Sequence, residues 1–161
     1  MIEALISAAY ISLKLPETAD PAEYYGKYEM IVTGGEYFCM MDQEDVDLLA
    51  RVVMSEAGGE SMECKEAVAT VVLNRLASPD YPMTIHDVVY QKNAFSTHNN
   101  GAPTQDCYTA VFSALVWFGS DNEILPRSIY YFRAGHYHKW ALDYKKIGAL
   151  YFSAPKTASI D

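Results

Sequence analysis

The chain has 161 residues, half of them apolar, which is enough for one domain with a sizeable core and carries no compositional sign of disorder. Its net charge of −9 argues against a general phosphate-binding surface for nucleic acid, which relies on clustered Lys and Arg, and against adhesion to anionic membranes through bulk charge. No segment is long and apolar enough to span a bilayer, so membrane insertion is not expected. Three cysteines, Cys39, Cys64 and Cys107, form an odd set without metal-ligand spacing and read as thiols of a chain made in a reducing compartment.

The opening Met1-Ile2-Glu3-Ala4-Leu5 has no basic region and does not read as a signal peptide. Residues 2 to 14 read as a short helix ended by Pro16, and residues 16 to 26, rich in Pro, Glu and Asp, as a linker. Tyr28 to Thr33 and Glu36 to Met40 flank Gly34-Gly35, a hairpin signal. Residues 1–42 are thus expected to be an N-terminal extension whose hairpin offers a sheet edge to a protein partner, with the main domain at 43–161. Two helices are expected at about 43–57 and 61–77, the second capped by Ser61 and stopped by Pro79. Thr84 to Tyr90 looks like a short helix with Thr84 and Asp87 as a capping box. Residues 91 to 103 form a polar loop. Thr104 to Phe118 is a helix with Cys107, Ala110, Val111, Ala114, Leu115 and Phe118 on one face. Ser128 to Phe132 and Leu150 to Ser153 read as short strands or extended loop. The expected class is α+β, a mostly helical domain with a small β element.

Glu56 is the residue that this pattern does not explain by itself. Leu49, Val52 and Val53 recur at helical spacing, and Glu56 falls on their apolar stripe. Gly58 and Gly59 mark the helix end, so Glu56 also faces the negative end of the helix dipole. Partial burial and the dipole both disfavour a carboxylate and push the pKa up, which is how a glutamic acid is kept protonated as a general acid. The bland alternative is a solvated glutamate near a helix end.

Several ordered motifs carry a resemblance. Ser55-Glu56-Ala57-Gly58-Gly59-Glu60, Ala67-Val68 and Val72-Leu73-Asn74-Arg75 come first. Tyr81-Pro82, Val88-Val89-Tyr90-Gln91 and Ala94-Phe95-Ser96 follow, then Tyr130-Tyr131-Phe132-Arg133, Tyr137-His138-Lys139-Trp140, Ile147-Gly148 and Tyr151-Phe152-Ser153. Over roughly residues 43 to 153 the chain resembles the cell-wall hydrolase family typified by spore-cortex-lytic enzymes and some phage lysins. The resemblance implies a lysozyme-like fold, a peptidoglycan glycan strand as substrate, no cofactor, and Glu56 as the catalytic acid. It also implies substrate contacts at Glu60, Phe95, Ser96, Tyr131 and Arg133. Two positions depart from the family pattern: Leu150 stands where a His is usual, and Thr97 to Gly101 where an aromatic is common.

Glycoside cleavage ordinarily needs two carboxylates. Glu60 is the only second acid nearby, and its place at a helix start suits capping or loop ordering. A single acid fits a lytic transglycosylase, in which the muramic acid 6-hydroxyl attacks the anomeric carbon and no protein nucleophile is required. Tyr130, Tyr131, Phe132, Tyr137 and Trp140 supply flat apolar surfaces for sugar; by strand alternation Tyr131 faces the cleft if Tyr130 and Phe132 face the core. Asn74 is expected to make a helix–helix hydrogen bond. His136 and His138, with His86 or His98, are the weak basis of an alternative zinc amidase, and a catalytically silent wall-binding or structural module of a phage particle is a third reading. An acidic chain with at least one free thiol and no recognisable export signal, acting on the wall from a cytoplasmic origin, is expected to be phage- or prophage-encoded, with a forespore or secreted protein as the alternative.

Overall fold

The computed structural model describes residues 11–14, 30–33, 36–82, 84–96 and 101–158. Near the N-terminus, β1 (Ile11–Lys14), β2 (Met30–Thr33) and β3 (Glu36–Met41) form an antiparallel sheet in the order β1-β3-β2. The hairpin read around Gly34-Gly35 is present as β2 and β3, with Thr33 opposite Glu36. The helix expected over 2–14 is corrected at its end. Ile11 to Lys14 is a strand, paired from Ile11 opposite Met41 to Lys14 opposite Phe38. Ile11-Ser12-Leu13 alternates apolar and polar, and a long partner strand satisfies its backbone, which a single isolated helical turn cannot do as well. Residues 2–10 and the 16–26 linker lie outside the described residues.

Helix α1 (Gln43–Ala57) starts at Asp42, whose Oδ1 accepts from the Asp45 N–H at 2.9 Å while Asp45 Oδ2 accepts from the Asp42 N–H at 3.4 Å. Helix α2 (Met62–Leu76) starts at Ser61, whose Oγ accepts from the Cys64 N–H at 3.3 Å, as its sequence predicts. The short α3 (Ile85–Val89) is capped by Thr84, whose Oγ1 accepts from the Asp87 N–H at 3.0 Å. Helix α4 (Gln105–Trp117) buries Cys107, Ala110, Val111, Ala114 and Leu115, the face read from its spacing.

The helices organise around α2. Twelve of its fifteen residues are buried, so it is the central helix with neighbours on every side rather than a surface helix with one apolar face. Helices α1, α3 and α4 pack against it, and Leu49, Val53, Val68, Val72, Leu76 and Val111 meet in one core. Each Leu or Val removed from water there contributes about 1.5–3 kcal/mol. Tyr108 donates its hydroxyl to Asp47 Oδ1 at 2.8 Å and ties α4 to α1.

A second antiparallel sheet follows, with β4 (Tyr131–Ala134), β5 (Leu142–Ile147) and β6 (Leu150–Ala154) in the order β4-β6-β5. Strand β5 was not legible: it is an edge strand carrying Asp143, Lys145 and Lys146, only Ile147 is buried, and a register shift between Asp143 and Lys145 breaks its alternation. The strand read from Ser128 begins instead at Tyr131, because the carbonyls before it are bound elsewhere. Asn74 Nδ2 donates to Pro126 O at 2.9 Å and to Ile129 O at 3.0 Å, and Arg75 Nε donates to Tyr130 O at 2.8 Å. Asn74 therefore joins a helix to a loop, not to another helix. Its amide answers two carbonyls that have no strand partner, so Asn74→Ala should destabilise the fold by about 2–3 kcal/mol, read as a lower urea midpoint with unchanged slope.

Candidate active site

Glu56 lies in the last turn of α1, directly after the buried Val52 and Val53 and half-buried itself. The stripe assignment is therefore correct, and the acid sits where that stripe meets the surface. The Ser96 N–H donates to Glu56 Oε1. Burial pushes the Glu56 pKa above its ordinary value, and the Ser96 hydrogen bond, which favours the carboxylate, works against that rise. Two opposed effects of this kind leave an acid able both to give and to take a proton.

Glu60 has a different setting. Its Oε2 accepts from the Ala149 N–H at 3.2 Å, and its own carbonyl accepts from Lys65 Nζ at 2.9 Å. Gly148 turns between β5 and β6 with φ +57°, and a Cβ there would overlap Glu60 Oε2. Glu60 thus orders the β5–β6 turn, the loop-ordering role suggested by its place before α2. Beneath it, Cys64 is buried and its thiol is held up at about 11 by burial and by Glu60 and Glu63, so it is no nucleophile.

A cleft of about 530 Å³ opens on the far side of the loop that holds Glu56, and Glu56 itself is not among its lining residues. Arg75 and Tyr81 line it from the α2 side, Gln91, Lys92, Asn93 and Ala94 from the loop after α3, and Tyr131, Phe132, His138 and Trp140 from β4 and the turn beyond. Glu56 is joined to this cleft by three consecutive residues: Ala94 lines it, Phe95 packs with its ring 5.9 Å from that of Phe132, and Ser96 holds the acid. Tyr131 faces the cleft as alternation predicts, but Phe132 is shared, lining the cleft while packing 5.7 Å from Phe152 in the core. Trp140 stands 57 % exposed, 4.8 Å from the Tyr131 ring and 4.6 Å from the His138 ring, as a sugar-sized platform.

Of the expected substrate contacts, Tyr131 is among the residues lining this cleft. Arg133 is exposed on β4 and, like Glu60, Phe95 and Ser96, is not among the lining residues. Sequence reading did not select Arg75 or Tyr81. The available signal was a basic residue in the last turn of a helix whose second half, Ala67 to Leu76, is mostly apolar. His136 Nδ1 faces the Tyr137 carbonyl at 2.7 Å, whereas His138 lies among the cleft aromatics; among the described residues no three His, Cys, Asp or Glu side chains are grouped as metal ligands. Leu150, in the place of the family's usual His, is buried at the start of β6.

Comparison with known proteins agrees with this architecture. The Cell Wall Hydrolase family model matches residues 59–155, more than half of the chain, and the chain belongs to that family. The match begins three residues after Glu56. The spore cortex-lytic enzyme of Oceanobacillus iheyensis is 37 % identical over 95 residues, covering 56 % of this chain and 33 % of that protein. That of Bacillus subtilis strain 168 is 36 % identical over 92 residues, covering 55 % and 29 %. The chain thus spans about a third of the length of these curated relatives. Among solved structures, the catalytic domain of the germination-specific lytic transglycosylase SleB from Bacillus anthracis superposes with a TM-score of 0.58 at 25 % identity, covering 76 % of this chain and 99 % of that one. The Bacillus cereus SleB catalytic domain gives 0.58 at 28 %, covering 70 % and 91 %. The fold is the mostly helical α+β fold, with a small β element, of those catalytic domains.

The two carboxylates should separate cleanly in mutants. Glu60→Gln keeps an acceptor for the Ala149 N–H and should lower activity only a few-fold, whereas Gly148→Ala should lower the melting temperature markedly, since it meets both the φ penalty and the Glu60 carboxyl. A Glu60→Gln protein that is folded yet wholly inactive would give Glu60 a direct chemical role.

Proposed function

We propose that the chain is a peptidoglycan lytic transglycosylase that cleaves between N-acetylmuramic acid and N-acetylglucosamine with Glu56 as its single acid and base. The observation that carries this reading is the contrast between the two acids. Glu56 is half-buried and held by the loop whose Ala94 lines the aromatic cleft, while Glu60 is turned to the β5–β6 backbone. With Glu60 engaged by the Ala149 N–H, this contrast favours a single-acid reaction over a two-carboxylate hydrolysis. Protonated Glu56 gives its proton to the glycosidic oxygen as the C1–O bond breaks. The muramyl 6-hydroxyl attacks C1, and the Glu56 carboxylate accepts the hydroxyl proton. The products are a 1,6-anhydromuramyl end and a free 4-hydroxyl, with no water consumed. Phe95, Ser96 and Tyr131 are assigned to the substrate side of this centre, Ser96 through its hold on Glu56.

This reading assigns catalysis to residues 43–161 and a docking role toward a protein partner to residues 1–42, with Met41, fully buried, tying the two together. The free, buried thiols of Cys64 and Cys107 fit synthesis in a reducing compartment and action at the wall, and delivery by a phage or prophage lysis system is one route that satisfies both.

Digestion of purified peptidoglycan with mass analysis of the released fragments tests the reaction: anhydro-muramic ends are expected. New reducing ends would make the protein a hydrolase, free stem peptides an amidase, and no release from several wall types a silent wall-binding module. Glu56→Gln should abolish release while leaving thermal stability unchanged or raised. The sign follows from the raised pKa. The native state holds the Glu56 proton to higher pH than the unfolded chain, so ionisation costs stability as pH climbs through the native pKa, and Gln removes that cost. For the same reason wild-type activity should fall on the alkaline side as Glu56 loses its proton.

A further inference from the structure

The chain is acidic overall, yet the wall of its cleft is cationic. Arg75 and Lys92 line the cleft together with His138, and no Asp or Glu is among the described lining residues. Arg75 is 8 % exposed, at the end of the central helix. Its Nε is committed to the Tyr130 carbonyl at 2.8 Å. Its guanidinium carbon lies 4.6 Å from the Phe95 ring centre, 5.3 Å from Tyr81 and 5.9 Å from Tyr131. Ring faces attract a cation but do not neutralise it. Among the described residues no carboxylate comes within ion-pairing distance of Arg75, although a buried charge ordinarily demands such a partner. Two terminal nitrogens with a forked donor geometry suited to a carboxylate therefore stand at the cleft wall without an anion. Lys92, exposed at the rim, adds a second positive charge along the same approach.

We infer that the cleft contains a carboxylate subsite in which Arg75 binds an anionic group carried by the muramyl residue of the substrate, with Lys92 steering it in. This rests on the peptidoglycan reading and narrows it: the enzyme distinguishes glycan bearing a free carboxylate from glycan whose carboxylates are masked. Two sources share this chemistry, the lactyl ether of muramic acid and the carboxylates of the stem peptide.

The test uses the full chain and two matched wall preparations, intact peptidoglycan and the stem-free glycan left by amidase treatment, each also with its carboxylates converted to primary amides. Wild-type kcat/KM should fall at least tenfold on amidation of the preparation that supplies the anion, the scale of one lost charge-assisted hydrogen bond at about 1.5–3 kcal/mol. Sensitivity confined to stem-free glycan assigns the lactyl group, and sensitivity confined to intact wall assigns the stem peptide. Lys92→Gln, at an exposed position that does not threaten folding, should raise KM several-fold on unmasked substrate only, and Arg75→Gln should erase the distinction between masked and unmasked. Equal turnover of masked and unmasked material by wild type on both preparations overturns the subsite. Binding of N-acetylmuramic acid and of its methyl ester, followed by NMR at cleft resonances, separates the two readings. Preference for the acid with no cleavage of any wall keeps the subsite and removes the lytic function; equal binding of acid and ester, with wall cleavage intact and equal on masked and unmasked material of both preparations, does the reverse.

Discussion

The rest of the structure depends on the burial of α2. A helix surrounded on all sides by protein cannot leave a side-chain donor in its last turn without a partner, since an unpaired buried polar group costs about 1–3 kcal/mol. Asn74 and Arg75 meet that demand by binding the carbonyls of Pro126, Ile129 and Tyr130. Those three bonds fix the chain segment that leads into β4. They thereby set where Tyr131 and Phe132 emerge and where the Arg75 guanidinium can lie. The cleft is a consequence of satisfying the central helix, and its aromatic wall is held by backbone bonds from α2 rather than by loop packing alone.

The same economy separates two glutamates only four residues apart. Glu56 belongs to α1, where the apolar stripe carries it into partial burial, and one backbone N–H reaches it. Glu60 lies past the end of that helix, in the bend before α2, and it is taken up by Ala149 and by the space that Gly148 leaves open. A side chain at position 148 would push Glu60 out of the turn. The glycine and the acid are therefore one device, and it holds the β5–β6 hairpin to the start of α2, where the exposed Lys145–Glu63 pair at 2.9 Å adds only a little.

The helices were legible because their signals are local. Periodic apolar residues, Asp42, Ser61 and Thr84 as caps, and the buried face of α4 all depend on neighbours within one or two turns. Glu56 was legible for the same reason, as an acid on an apolar stripe. Three features were not, and each depends on distant partners. Ile11 to Lys14 takes its conformation from β3. Strand β5 is an exposed edge whose charges hide its period. Arg75 acquires its meaning only when Phe95, Tyr81 and Tyr131, from two other parts of the chain, close around it. Arg133 lies exposed on β4, while the arginine that lines the cleft, Arg75, lies on a helix 58 positions earlier in the sequence.

The loop from Ala94 to Ser96 connects what fills the cleft with how tightly Glu56 holds its proton. Ala94 is part of the cleft wall, Phe95 is stacked under Arg75, and the Ser96 N–H is the one polar group shown to favour the ionised Glu56. Desolvation and that N–H act in opposite directions on the same carboxyl. A displacement of the loop that lengthened the N–H contact would leave burial unopposed and raise the pKa further; one that tightened it would favour the carboxylate. Under the proposed mechanism acid and base forms are both needed in one turnover, so the residue that sets their balance is best placed on the segment that lines the cleft. In this fold it is, and the short path of Ala94, Phe95 and Ser96 makes the coupling a matter of backbone geometry instead of long-range transmission.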